Sequence, residues 1–93
     1  MSSSTAEELL AAAEKKAAAT SGWFSSASSK LEESVELFKA AGNKFRLANR
    51  FQEAGEALMR AGEVEYKLGE QDFAANTFYE ASKNYKLVRP ERQ

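Results

Sequence analysis

The chain has 93 residues, enough for one small domain with a modest core, and it contains neither cysteine nor histidine. That composition excludes a disulfide framework, a thiolate metal site and the commonest catalytic base. The formal net charge of −1 argues against attraction of the whole protein to nucleic acid. Because no long apolar run occurs at the N-terminus, we expect a cytoplasmic protein.

The first predicted helix covers residues 5–20. Thr5 is followed three residues later by Glu8, which fits a capping box. In that motif each of the two side chains accepts a hydrogen bond from the backbone N–H of the other residue. A helix is therefore expected to begin at Thr5.

A loop of small and polar residues is predicted at residues 20–29, and it carries Trp23, the only tryptophan, beside Phe24. Loop tips normally hold small or polar side chains. The aromatic pair therefore suggests contact with an apolar surface outside the chain, either a membrane or a partner groove. The alternative is that both rings fold back onto neighbouring helices and belong to the core.

Three more helices are predicted after this loop, at residues 30–48, 51–68 and 72–88. A second capping box, Ser29 with Glu32, is expected to start the second helix. Apolar residues then recur at three- to four-residue spacing in all three helices. Gly69 is expected to end the third helix, since a residue without a Cβ accepts a left-handed backbone, and Pro90 to end the fourth.

A four-residue pattern recurs about every 20 residues, beginning at Phe38, Met59 and Tyr79. It consists of a large apolar residue, a polar residue, an alanine and a small residue. Small residues let neighbouring helices approach, and aromatic side chains fill the gaps between them. This pattern is typical of a tetratricopeptide-repeat-like solenoid. We predict an all-α fold with a single domain, residues 1–93, in which about four helices form an antiparallel helix-turn-helix stack. Unrelated amphipathic helices are the alternative.

Catalysis is not expected from this chain. No histidine or cysteine is available as a base or nucleophile, and acidic residues cluster at helix starts, where they favour the positive end of the helix dipole. Neither of the common glycine-rich phosphate-binding motifs occurs. The sequence therefore predicts no enzyme activity and no bound nucleotide, metal or other cofactor.

A basic segment, residues 39–52, carries four cations and no acid. Lys39 and Arg46 are predicted to project along one strip of the second helix, with Arg50 in line at its end. Such a strip suits an acidic partner surface. The alternative is a solvated face, because exposed charges need no partner.

The order and spacing of several segments resemble the N-terminal region of the soluble NSF attachment proteins, the α-SNAP/Sec17 group. The likeness covers nearly the whole chain but only about the first third of a family member. It rests on the capped first helix, on the serine-rich loop with adjacent aromatic residues, and on a series of later segments. Those segments are Ser29–Glu33, Ala41–Phe51, Ala54–Ala57, Ala74–Phe78 and Asn84–Lys86.

The resemblance implies an adaptor that grips assembled SNARE helical bundles at a membrane surface and recruits the AAA ATPase NSF, which disassembles them. Trp23 and Phe24 fall at the position of the family's membrane-contacting loop. Serines follow them in place of a second apolar cluster, so we expect weak membrane attachment. The candidates for SNARE contact are Lys39, Arg46, Asn49, Arg50 and Lys86, of which Asn49 is uncharged.

We interpret the chain as a SNAP-like adaptor fragment that is cytoplasmic and peripheral on membranes. The resemblance places the NSF-engaging residues near the far C-terminus of a family member. We therefore expect that residues 1–93 do not recruit the ATPase. A generic tetratricopeptide-like peptide-binding module and a structural end cap of a longer solenoid are the alternatives. The fourth helix lacks a covering neighbour, so we expect marginal stability or self-association through this open C-terminal face.

Overall fold

The computed structural model describes residues 4–19 and 27–89. This part of the chain contains four α-helices and no strand: α1 (Ala6–Ala18), α2 (Ala27–Leu47), α3 (Phe51–Lys67) and α4 (Gln71–Lys86). Each helix packs against the next one along the chain. Turns of three residues join α2 to α3 and α3 to α4, so these three helices run antiparallel. The predicted all-α class is confirmed.

The capping box at the start of α1 is present as predicted. The backbone N–H of Glu8 donates to Thr5 Oγ1 at 3.1 Å, and the N–H of Thr5 donates to Glu8 Oε1 at 2.9 Å. The second predicted capping box is wrong, because α2 begins at Ala27 and Ser29 lies inside the helix. No glycine or proline separates Ala27 from Ser29, so nothing in these residues stops the helix from starting earlier.

The two turns between the last three helices have the same geometry, 20 residues apart. Asn49 and Gly69 both adopt positive φ, 63° and 84°. In each turn the N–H of the following residue donates five residues back: Arg50 to the Phe45 carbonyl at 2.8 Å, and Glu70 to the Glu65 carbonyl at 2.9 Å. This is the Schellman arrangement, and the predicted helix stop at Gly69 is confirmed.

Two phenylalanines of α2 form the centre of the core. Phe38 and Phe45 are fully buried, and they pack against alanines of both neighbouring helices. Those alanines are Ala6 and Ala13 on α1, and Ala54, Ala57 and Ala61 on α3. Because alanine side chains are short, the helices approach closely and the aromatic rings fill the space between them.

The opposite side of α3 uses glycine in the same way. A Cβ on Gly62 would lie 2.5 Å from the Phe78 ring, and one on Gly55 would lie 2.8 Å from the Tyr85 ring. Phe78 and Tyr85 therefore repeat the roles of Phe38 and Phe45, 40 residues later. The predicted repeat is present, and the aromatic residues with which α4 packs against α3 are Phe78 and Tyr85.

Tyr79, on the face of α4 that was expected to lack a covering neighbour, is 61% exposed. Phe78 instead turns toward α3, because only one side of α4 has a helical neighbour in the described residues. The large apolar side chains that remain exposed in this part of the chain are Leu47, Tyr66, Phe73, Tyr79 and Leu87. Self-association through the α4 face stays a prediction.

Candidate partner-binding surface

The residues predicted to contact a partner lie at several separate positions in the structure. Lys39 and Arg46 line one groove between α2 and α4, which we call the α2–α4 groove. Asn49 and Arg50 lie in the turn after α2, and Lys86 is the exposed last residue of α4. Trp23 and Phe24 lie outside the described residues.

The α2–α4 groove has a volume of about 520 Å³. One face of α2 and one face of α4 form its walls, and α3 contributes Leu58. The lining side chains are mostly polar or charged: Lys39, Asn43, Arg46, Asn76, Thr77, Glu80, Lys83 and Asn84. Sequence reasoning missed the α4 wall, although the spacing of Asn76, Glu80 and Lys83 along one helix face was available as a signal.

Lys39 has a structural partner. Its Nζ lies 2.8 Å from Oε2 of Glu65, whose residue surface is only 3% exposed. The hydroxyl of Thr77 donates to Oε1 of the same carboxylate at 2.6 Å. These three side chains, the Lys39–Glu65–Thr77 cluster, join α2, α3 and α4. A buried carboxylate requires such partners, because burial of an unpaired charge is costly.

Arg46 differs from Lys39, because no acidic partner binds it among the described residues. It is exposed, and its Nη2 donates to Oδ1 of Asn43 at 2.8 Å. That bond uses one of the five guanidinium N–H groups and leaves the others for a partner outside the chain. Arg46 is therefore held in place and still able to bind a carboxylate.

Arg50 faces α1 instead of the groove. It forms ion pairs with Glu7 of α1 and with Glu53 of α3, and its guanidinium lies 4.7 Å from the centre of the Phe45 ring. The hydrogen bonds from Arg50 hold the pKa of both carboxyls below the usual range, and the two carboxylates raise the pKa of Arg50. The basic strip predicted from the sequence is thus divided between two surfaces.

Asn49 also has a conformational role. It is the residue in the left-handed turn after α2, where asparagine is tolerated and most other side chains are strained. Its side chain is exposed. Lys86 does not line the α2–α4 groove, although it lies one residue before Leu87, which does.

Acid should weaken the attachment of α1. Hydrogen bonds from Arg50 and Lys16 hold the pKa values of Glu7 and Glu33 below the ordinary 4.5. A carboxyl whose pKa is lowered by folding stabilises the folded state at pH values above its ordinary pKa. This contribution is lost as the pH falls through the lowered pKa. The melting temperature should therefore drop as the pH decreases below about 4.5.

Circular dichroism melts between about pH 6 and pH 3 test this expectation. Arg50→Met and Lys16→Met remove the partners of the two carboxyls, so the double variant should show a shallower pH dependence than the wild type. An identical dependence in both proteins would contradict a role for these ion pairs in holding α1.

None of the helices in the described residues has the length and apolar composition of a membrane-spanning segment. The comparisons with known proteins agree on one family. The family model described as "Soluble NSF attachment protein, SNAP" matches residues 4–93. No solved structure matches the chain at a significant level.

Curated relatives match about two thirds of the chain. This chain is 39% identical to the "Probable vesicular-fusion protein sec17 homolog" of Schizosaccharomyces pombe over 62 residues. The matched segment covers 67% of this chain and 22% of that protein. This chain is 38% identical to the "Vesicular-fusion protein SEC17" of Komagataella phaffii over 65 residues, which cover 70% of this chain and 22% of that protein. This chain is 34% identical to the human "Alpha-soluble NSF attachment protein" over 64 residues, which cover 69% of this chain and 22% of that protein.

The matched segment corresponds to about a fifth of the length of these relatives. The family match, in contrast, extends over nearly all of this chain, including the capped start of α1 and the repeated turns that define the stack. The chain belongs to the soluble NSF attachment protein family.

Proposed function

We propose that this chain is an adaptor in vesicle fusion that binds the acidic surface of an assembled SNARE helical bundle next to a membrane. Family membership and the names of the relatives support the role in vesicle fusion. The observation that carries the contact itself is Arg46, an exposed arginine on the groove with no acidic partner among the described residues.

The repeat geometry supports a second cation beside Arg46. Lys86 follows Arg46 by 40 residues, and the same interval relates Phe45 to Tyr85 in the core. Equivalent positions in successive repeats of a solenoid lie side by side on one surface. We therefore place Arg46 and Lys86 at the centre of the proposed interface and Lys39 and Asn49 beside them, whereas Arg50 faces α1 and lies on the other surface.

Reversing the charge of Arg46 is the cleanest test of this interface. Arg46→Glu should weaken binding to an assembled SNARE bundle by about tenfold, as expected for a lost hydrogen-bonded ion pair, and should reduce the dependence of affinity on salt. Arg50→Glu is less informative, because it would place a third carboxylate beside Glu7 and Glu53. Titration calorimetry at two salt concentrations measures both quantities.

Lys67→Glu is the matched control, since it makes the same charge change at an exposed position on the last turn of α3. Its affinity should stay within about twofold of the wild type, because distant exposed charges are mostly screened. Equal losses in Arg46→Glu and Lys67→Glu would mean that only net charge matters, and the proposed interface would be rejected.

We also propose that Trp23 and Phe24, which precede α2, touch the membrane. Insertion of two rings at an interface gives weak attachment, comparable to a single lipid anchor or less. Because Trp23 is the only tryptophan, its fluorescence reports on this segment alone. The emission should shift to the blue when phosphatidylcholine vesicles are added, and Phe24→Ser should need more lipid for the same shift. Emission that is already blue in buffer and insensitive to lipid would place Trp23 in the protein interior instead.

A further inference from the structure

We infer that Asn43 is a specificity-determining residue of the proposed SNARE interface, because its neutral amide orients Arg46 and leaves the charge of the guanidinium free for a carboxylate of the partner. The inference rests on the proposed function and adds to that interface a residue that acts without touching the partner. Asn43 is thus a positioning residue, and its effect on binding passes through Arg46.

The contact between the two side chains is direct. Oδ1 of Asn43 accepts a hydrogen bond from Nη2 of Arg46 at 2.8 Å, and both residues are exposed on α2. They are three residues apart, a spacing at which helical side chains are neighbours. An amide oxygen fixes the direction of the guanidinium but carries no net charge, so Arg46 keeps its full positive charge.

The two other arginines in or between the helices are held by carboxylates. Arg50 donates to both carboxylate oxygens of Glu53, three residues along the chain, at 2.8 Å and 2.6 Å. Arg60 lies 3.2 Å from Glu14 of α1. In these pairs the acid orients the guanidinium and neutralises it at the same time. Within the described residues, Arg46 is the one arginine of these three that a neutral group orients.

The acids near the α2–α4 groove do not neutralise Arg46 either. Glu80 lines the groove, but its carboxylate lies 3.3 Å from Nζ of Lys83. Glu65 is buried and is bound by Lys39. The charge of Arg46 is therefore left for a carboxylate from outside the chain.

The next repeat lacks an equivalent of this arrangement. Lys83 and Lys86 follow Asn43 and Arg46 by 40 residues. Lys83 is paired with an acid of its own helix, and no side chain of the described residues binds Lys86. A free lysine loses more freedom on binding than an arginine that is already held in place. Asn43 thus makes Arg46 the oriented cation of the interface.

Nuclear magnetic resonance of the chain by itself tests whether Asn43 holds Arg46. The measured quantity is the order parameter of the Arg46 Nε–Hε group, whose signal is assigned by its absence from the spectrum of Arg46→Met. Asn43→Ala removes the acceptor and should lower this order parameter. Asn43→Asp keeps an acceptor at the same position and should preserve it.

Titration of the same variants with an assembled SNARE bundle tests whether orientation without neutralisation matters. Asn43→Ala should weaken binding by about threefold, the cost of ordering one long side chain on binding. Asn43→Asp should weaken it by about tenfold and flatten its salt dependence, because the new carboxylate neutralises Arg46 as Glu53 neutralises Arg50. In the Arg46→Met background, Asn43→Ala should change the affinity by less than about twofold, since Asn43 acts through Arg46.

Asn76→Asp is the matched control, because it makes the same change at an exposed position on the opposite wall of the same groove. Asn76 lies ten residues before Lys86, the repeat equivalent of Arg46, so about 15 Å of helix separate it from the Arg46 end of the groove. A charge at that distance is mostly screened at physiological salt, and the affinity should stay within about twofold of the wild type.

The inference and the proposed function can fail separately. If the wild type binds the bundle, unchanged affinity in both Asn43 variants, or a loss in Asn43→Ala as large as that in Asn43→Asp, would overturn the role of Asn43 and leave the proposed function standing. Equal losses in Asn43→Asp and Asn76→Asp, a further loss from Asn43→Ala in the Arg46→Met background, or an Arg46 order parameter that Asn43→Ala does not lower would do the same. If the wild type does not bind the bundle, the proposed function is rejected, and the order parameters still decide whether Asn43 holds Arg46.

Discussion

Lys39→Met is expected to lower the free energy of unfolding by about 3 kcal/mol, near the lower end of the range for breaking a buried ion pair. Glu65 would remain 3% exposed with only the Thr77 hydroxyl as a partner. The lower end applies because the Lys39 side chain is itself 39% exposed and water screens part of the interaction. Since small domains have only about 5–15 kcal/mol of stability, urea unfolding followed by circular dichroism should reveal a large shift of the midpoint.

Lys16→Met is the matched control, because Lys16 pairs with Glu33 at 2.7 Å on the exposed surface. Its cost should be about 0–1 kcal/mol. The double variant Lys39→Met, Glu65→Met should recover most of the loss, since replacing both partners of a buried pair by apolar residues is often neutral. If Lys39→Met costs no more than Lys16→Met, the Lys39–Glu65–Thr77 cluster does not hold the three helices together.

Gly62→Ala is expected to lower the free energy of unfolding by about 2 kcal/mol. The new Cβ would lie 2.5 Å and 2.7 Å from two carbons of the Phe78 ring, so α3 and α4 would have to separate. Overpacking of this kind costs about 1–3 kcal/mol, or more in severe cases, and the better helix propensity of alanine offsets about 1 kcal/mol. The same unfolding measurement determines the net effect.

Gly42→Ala provides the comparison within the same fold. The nearest atoms to the new Cβ would be Cγ of Leu58 at 3.1 Å and the backbone carbonyl oxygen of Ala54 at 3.3 Å. Both contacts are longer than those at Gly62, and the gain in helix propensity offsets part of their cost, so the loss of stability should be smaller than for Gly62→Ala. A second test combines Gly62→Ala with Phe78→Leu, which should be less harmful than the sum of the single changes. Additive effects in this double variant would mean that the ring of Phe78 does not limit the approach of the helices.

The local signals in the sequence were sufficient for the helices but not for their exact packing. Thr5 with Glu8 and the stop at Gly69 depend on neighbouring backbone groups only, so they were predicted correctly. Ser29 with Glu32 has the same pattern, but no helix-breaking residue separates Ala27 from Ser29, and α2 begins at Ala27. A capping pattern permits a helix start without excluding an earlier one.

The repeat was predictable, and the exposure of Tyr79 follows from the face of α4 that has no neighbour in the described residues. Phe78 and Tyr79 are adjacent aromatic residues, and both fit a pattern of large apolar positions spaced 20 or 40 residues apart. The choice between them depends on which side of α4 faces Gly62, a tertiary contact that periodicity does not contain.

The candidate site shows the same limit. Spacing along α2 predicted that Lys39 and Arg46 share a strip, and both line the α2–α4 groove. It did not reveal that Glu65 would lie beside Lys39, or that Glu7 of α1 would bind Arg50, because both partners come from other helices. The acidic partners of surface cations are decided by helix packing, which the spacing of charges on one helix does not specify.

The central claim is tested most directly by binding of the wild-type chain to a preassembled SNARE bundle, compared with its unassembled component strands. Both forms are immobilised at equal density, and the bound chain is quantified at low and at physiological salt. We predict retention on the assembled bundle that weakens as salt increases, and little retention on the separate strands, because only the bundle presents an ordered acidic helical surface to Arg46 and Lys86. No retention on the bundle, or equal retention on bundle and strands, would contradict the assignment of this chain as a SNARE-bundle adaptor.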